Sequence, residues 1–163
     1  MKEIPPLLSD ALRVIGGRIP VVVELKPQKT PQATKELTQL SNELLKDYEG
    51  PFCVESFHPG QVKDSDKSFV RGQLGAMVEP IHCPSLFLRL VICHFLANFT
   101  SRPNYLSICW DEWHKSLVSL VPKFWKDTPL LAWTIHNQKE ADEVINNPHF
   151  FGFVFEGFIP EKK

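Results

Sequence analysis

Glu24 and Lys26 close the stretch "RIPVVVELKPQ", residues 18–28, and are the first side chains whose types and spacing suggest chemistry. Side chains alternate across an extended chain, so Val22, Glu24 and Lys26 share one face while Val21, Val23 and Leu25 share the other. Both faces are apolar until the C-terminal end. A buried carboxylate without a partner is expensive, so Glu24 should be paired, hydrated or bound to a cation. An internal Glu24–Lys26 ion pair is the structural alternative to a site.

The elements that must position this pair follow from periodicity. A first helix is predicted over Pro6 to Ile15, with Leu8, Leu12 and Ile15 on one side and Gly16-Gly17 as its stop. A strand from Ile19 to Leu25 follows. Thr30 is a good N-cap with Pro31 at the first helical position, and Leu37, Leu40, Leu44 and Leu45 recur at helical spacing up to Tyr48. Gly50-Pro51 breaks the chain before a second strand, "FCVESF". "HPGQVKDSDKSF" has room only for a short helix or turn, and "FVRGQLGAMV" reads as a third strand.

A long apolar helix is predicted from about Ser85 to Asn98, then a fourth strand, "YLSICW". "DEWHKSLVSLVPKFW" reads as a helix ended or bent at Pro122. "PLLAWTIH" is the fifth strand. Asn137 with Glu140 three residues later forms a capping-box start for "QKEADEVINN". The last strand is "FFGFVFEGF", whose run of phenylalanines is assigned to core packing.

With 43% hydrophobic and 23% charged residues among 163, the chain has the make-up of one globular domain, residues 1–163, rather than of a disordered segment. A formal charge of -1 with scattered Lys and Arg gives no reason to expect a nucleic-acid partner. Cys53, Cys83, Cys93 and Cys109 show no CxxC spacing and are read as small buried hydrophobes in a reducing, cytoplasmic setting. A zinc site from His82-Cys83 and Cys93-His94 would need adjacent-pair ligands unlike the usual spacings. The stretch "MKEIPPLLSD" has a short apolar run broken by prolines and is not expected to act as a signal peptide. The apolar segment of residues 86–99 falls short of the roughly 20 residues of a membrane span, and Arg89 interrupts it, so no transmembrane segment is expected.

Alternating strands and helices imply parallel strands joined by right-handed crossovers. About six strands fit either an open doubly wound sheet or most of an eight-stranded barrel. No Gly-rich phosphate loop follows any strand, which weakens the open-sheet reading. Polar or aromatic residues gather instead at strand C-termini: Glu24 and Lys26, Ser56 and His58, Trp133 and Thr134, and Glu156. A barrel would set these ends around one mouth, although a complete one typically takes about 250 residues. The chain is thus short by roughly two strand–helix units.

The pieces "IPPLLSDALRVIGGRIPVVVELK", "YEGPFCVESFHP", "VRGQLG", "SRPNYLSICW", "PLLAWTIHNQKEA" and "VFEGFIP" together resemble, in order and spacing, the C-terminal two thirds of glycerophosphodiester phosphodiesterases. The resemblance implies an incomplete TIM (β/α)8 barrel of the phospholipase C-like (PLC-like) phosphodiesterase type. It also implies a metal-dependent hydrolase that splits glycerophosphodiesters, small molecules, into glycerol 3-phosphate and an alcohol. Glu24 matches a ligand of the divalent cation, Mg²⁺ or Ca²⁺, and Lys26 a basic residue that faces the phosphate. Trp133, in the "WT" pair, matches an aromatic of the substrate pocket. His58 and His136 are read as surface or structural, and the role of Glu156 stays open because the family often has an aspartate nearby.

The departures are as specific. The family's His-Arg-Gly strand, its Glu-x-Asp pair and its second histidine have no counterpart here; Glu140-Ala141-Asp142 lies on a predicted helix after the tryptophan strand. The catalytic histidines are therefore absent, the metal site is incomplete, and negligible turnover is expected of these residues alone. A noncatalytic barrel remnant serving as a binding or interaction module is the alternative. A barrel short of two strands also exposes lateral edges, so self-association through them is expected.

Overall fold

The strands predicted from the valine-, tyrosine- and phenylalanine-rich runs pair into one parallel sheet in strict chain order. They are β1 (Val21–Glu24), β2 (Phe52–Ser56), β3 (Val70–Gly75), β4 (Tyr105–Cys109), β5 (Leu130–Ile135) and β6 (Phe150–Phe155). This computed structural model describes residues 4–75, 97–113 and 127–161. Its helices are α1 (Leu8–Ile15), α2 (Pro31–Lys46), α3 (Pro59–Asp64), α4 (Asn98–Ser101), α5 (Trp110–Trp113) and α6 (Gln138–Ile145). Crossovers that always step to the next strand in one direction curl the sheet, and the six strands form a half-barrel.

The core lies between the sheet's convex face and the helices. Val23, Leu25 and Val54 pack with Leu12 of α1, Leu45 of α2 and Phe69. Leu106, Ile108, Leu130, Ala132 and Ile135 pack with Trp110, Trp113, Ala141 and Val144. Each valine, leucine, isoleucine or phenylalanine among them stabilises the fold by about 1.5–3 kcal/mol when fully buried. Because strand residues alternate, this convex set forces Val22, Glu24, Cys53, Glu55, Tyr105 and Ser107 onto the concave face, and Trp133 joins them because a register irregularity between Ala132 and Ile135 returns Ile135 to the convex core.

Two helix starts are built as the residue types dictate. Thr30 Oγ1 accepts from the Ala33 N–H at 3.1 Å, with Pro31 opening α2. At α6 the Asn137 side chain accepts from the Glu140 N–H at 3.0 Å, and Glu140 Oε2 reaches back to the His136 N–H at 2.9 Å.

The buried stripe of α2 differs from the predicted leucine stripe. It consists of Thr34, Thr38, Ser41 and Leu45, while Leu40 is 64% exposed. The threonines are tolerated there because their hydroxyls are bonded locally: Thr34 Oγ1 to Thr30 O at 3.0 Å and Thr38 Oγ1 to Thr34 O at 2.9 Å. Thr38 also accepts from Gln61 Nε2 of α3 at 3.2 Å, so small polar residues let α3 seat beside α2. In the terminal strand the expectation of a wholly packed phenylalanine run is met in part. Phe150, Phe153 and Phe158 pack on the core, but Phe151 and Phe155 are exposed on the edge strand β6.

"VRGQLG" has a structural reason of its own. The buried Arg71 guanidinium donates to Val62 O in α3 and to Ser101 O and Arg102 O at the end of α4, which anchors β3 to carbonyls that those helix ends leave unpaired. Most of the apolar helix predicted over Ser85–Asn98, the third strand beyond Gly75, the helix after Trp113, and His82, Cys83, Cys93 and His94 lie outside the described residues. Among the described residues no helix is long and apolar enough to cross a membrane.

Candidate active site

Register places the chemistry. Glu24 of β1 stands opposite Glu55 of β2, Glu55 opposite Gly72 of β3, and Gly72 opposite Tyr105 of β4. These four positions form one row across the concave face. Gly72 contributes no side chain, and the Tyr105 ring occupies the space that it leaves: a Cβ at Gly72 would run into Tyr105 Cζ and lie 2.6 Å from its Cε2. Tyr105 thereby spans β3 and its hydroxyl donates to Glu55 Oε2 at 2.9 Å. Cys53, one step before Glu55 on the same face, places its Sγ 3.3 Å from the same hydroxyl. Tyr105 has one proton and gives it to Glu55, so the Cys53 thiol is the donor to the tyrosine oxygen.

The electrostatics follow from burial. Glu55 is 7% exposed, and loss of water raises its carboxyl above the usual range. The Tyr105 hydrogen bond opposes that rise, the negative charge of Glu24 adds to it, and nearby Ser107 favours the charged form. Burial likewise raises the Cys53 thiol and, with the adjacent Glu55 charge, raises the Tyr105 phenol far above its ordinary value. Both stay protonated at neutral pH. Ser107 is fully buried, and its Oγ makes no hydrogen bond of normal geometry.

A pH prediction follows. In cation-free solution the folded chain holds a proton on Glu55 at pH values where the unfolded chain has lost it. Stability therefore falls as pH rises from the ordinary glutamate range through the raised folded-state value. Glu55→Gln should flatten that segment of the stability–pH curve in chelator-treated chemical denaturation; an unchanged slope contradicts the assignment.

Glu24 lies at the strand's end, where Lys26 Nζ comes within 3.9 Å of Oε2, with side-chain exposures of 75% for the lysine and 36% for the glutamate. This is a loose, solvent-screened pair rather than an internal one. Trp133, on β5, meets Phe57 edge-to-face at 5.7 Å, and Phe57 follows β2 directly. The two rings link residues from elements three strands apart in the sheet order, and the Trp133 Nε1 is buried without a partner.

Other strand-end residues do not join the site. Ser56 turns to the convex side, where it donates to Leu25 O at 2.6 Å and accepts from the His58 N–H at 3.0 Å. His58 and His136 are exposed, and Glu156 lies past β6 on the surface. Glu55, Tyr105 and Ser107 were not singled out from the sequence. The alternation that marked Glu24 also marks Glu55 within "FCVESF"; Tyr105 needed the register with Gly72, which no local pattern encodes.

The concave face meets part of what a divalent cation requires. Hard cations take oxygen ligands, and two carboxylates on adjacent strands with a buried hydroxyl beside them that makes no hydrogen bond of normal geometry supply part of such a shell. Among the described residues no group of three or more His, Cys, Asp or Glu side chains is gathered for a metal. The donor set fits a cation but does not complete its coordination.

No family model matches the sequence, and no curated protein does. Solved structures do match. A glycerophosphodiester phosphodiesterase from Parabacteroides distasonis aligns with a TM-score of 0.64 at 16% identity, over 92% of this chain and 59% of that one. A putative glycerophosphoryl diester phosphodiesterase from Silicibacter pomeroyi aligns at 0.67 and 14% identity, over 91% and 52%. A glycerophosphodiester phosphodiesterase from Thermotoga maritima aligns at 0.56 and 12% identity, over 82% and 53%. The chain shares with these structures the fold of a partial parallel barrel, and it spans between half and three fifths of the length of these proteins.

Proposed function

We propose that the concave face is part of the active site of a metal-dependent phosphoric diester hydrolase that acts on glycerophosphodiesters and releases glycerol 3-phosphate and an alcohol. The observation that carries this reading is the register row that sets Glu24 beside Glu55 at the C-terminal ends of parallel strands, where barrel enzymes hold their sites. The similarity to phosphodiesterase structures supports it.

Glu24 would hold the divalent cation, Mg²⁺ or Ca²⁺, which supplies charge neutralisation for the phosphate's non-bridging oxygens when bound. Lys26, with its ammonium largely in water at the strand end, is set to meet the phosphate as it enters. Trp133 and Phe57 form an aromatic wall against which the glycerol or headgroup carbons can pack. Paired histidines would typically contribute about 10² to 10⁴ in rate as general acid and base, and neither of the family's pair has a counterpart in these residues. Residues 1–163 alone are accordingly inactive in this reading. Among the described residues β1 and β6 are the edges of the sheet, where further strands, or a second copy, would pair.

The test is release of glycerol 3-phosphate from glycerophosphocholine with Mg²⁺ or Ca²⁺, with and without chelator. Residues 1–163 should give no more than the blank. A polypeptide in which two strand–helix units carrying a His-Arg-Gly strand and a Glu-x-Asp pair precede them should show chelator-sensitive turnover. A folded, lengthened protein without turnover would sink the proposal and favour the noncatalytic binding module.

A further inference from the structure

We propose that Glu55 is a second carboxylate ligand of the cation assigned above to Glu24, held in place by Tyr105 across the gap left by Gly72. The family resemblance gives Glu55 no role, and the inference rests on the reading of this face as a cation-dependent site.

The two glutamates are register partners on neighbouring parallel strands and face the same way. Adjacent carboxylates repel unless one of them holds a proton or a positive charge lies between them. Lys26 serves Glu24 only loosely at 3.9 Å, and no cationic side chain among the described residues pairs with Glu55.

Tyr105 fixes the geometry of Glu55 without using up its ligand capacity. The hydroxyl binds Oε2, one of the two carboxylate oxygens. That hydroxyl is in turn fixed by Cys53, and its ring is packed over Gly72 and edge-to-face against Phe151 at 6.0 Å. A carboxylate oriented through one oxygen by an outer hydrogen bond is the usual arrangement around metal ligands.

An independent observation points to a ligand in the same place. Ser107 lies two residues beyond Tyr105 on the same face of β4 and is fully buried beside Glu55, whose charged form it favours, yet its Oγ makes no hydrogen bond of normal geometry. A buried hydroxyl without a well-formed hydrogen bond, facing two carboxylates, calls for an ion or a water. A hydrated divalent cation bound by Glu24 and Glu55 would supply a water for it.

Cation affinity separates this inference from the reading beneath it. Mn²⁺ binding to the full chain would be measured by electron paramagnetic resonance and Ca²⁺ binding by calorimetry, for the natural sequence, Glu24→Gln, Glu55→Gln, Glu55→Asp and Tyr105→Phe. Glu55→Gln should weaken binding about tenfold or more, as loss of a charged oxygen ligand does, and Tyr105→Phe should weaken it severalfold by freeing the carboxylate. Glu55→Asp keeps the charge and should retain part of the affinity, which guards against misreading a folding defect. Unchanged affinity in a folded Glu55→Gln variant alongside a loss in Glu24→Gln overturns the role of Glu55 alone. No binding by the natural sequence, or none of the variants differing from it, overturns both.

Discussion

Gly72→Ala is expected to destabilise the chain by about 3 kcal/mol, through overpacking against a buried ring and loss of the hydrogen bond that this ring supplies to a buried carboxylate. The ideal Cβ would collide with Tyr105 Cζ and sit 2.6 Å from its hydroxyl oxygen. A flexible surface side chain would swing away at little cost. Tyr105 is 5% exposed and held by Glu55, Cys53 and Phe151, so it must break those contacts to move. Urea unfolding of Gly72→Ala, Tyr105→Ala and the double variant forms the appropriate cycle. In the Tyr105→Ala background the glycine substitution should be nearly free, because the atoms that it would strike are gone. Equal costs in both backgrounds would mean that Tyr105 does not cross β3.

Leu106→Ala should cost about 2–5 kcal/mol, the range for truncating a buried leucine where the surroundings relax only in part. Leu106 has no exposed surface and lies in the cluster shared by β4, β5, α5 and α6. Ser107, its neighbour, is buried on the opposite face, where Ser107→Ala removes a hydroxyl that makes no hydrogen bond of normal geometry and should change cation-free stability little. This contrast between adjacent residues tests the face assignment of β4. A mild Leu106→Ala paired with a severe Ser107→Ala would mean that the strand faces the other way.

Strand order and parallel pairing were legible because alternation of apolar runs with helix signals leaves few topologies, and crossover handedness prunes the rest. The capping residues Thr30 and Asn137 were legible for a local reason: their partners lie three residues away. The buried face of α2 was not. Its leucines suggested one stripe, but Thr34 and Thr38 satisfy their hydroxyls within the helix and so bury without penalty. The site divided similarly. Glu24 announced itself as a charge ending a valine run, and Glu55 carried the same local mark, whereas Tyr105, its partner 50 residues away, became visible only when strand register brought it over a glycine. Such pairings depend on register between strands, and register is set by the whole sheet.

The reading of this face as a phosphodiesterase mouth rests on Glu24. The direct measurement is the hydrolysis rate of glycerophosphocholine by the lengthened, barrel-closing protein and by its Glu24→Gln variant. At a fixed Mg²⁺ concentration the substitution should lower kcat/KM about 100-fold or more, as removal of a charged metal ligand implies, with part of the loss recovered as Mg²⁺ is raised. An unchanged rate at every Mg²⁺ concentration, in a variant that folds like its parent, would show that Glu24 is no ligand and that the chemistry of this fold lies elsewhere.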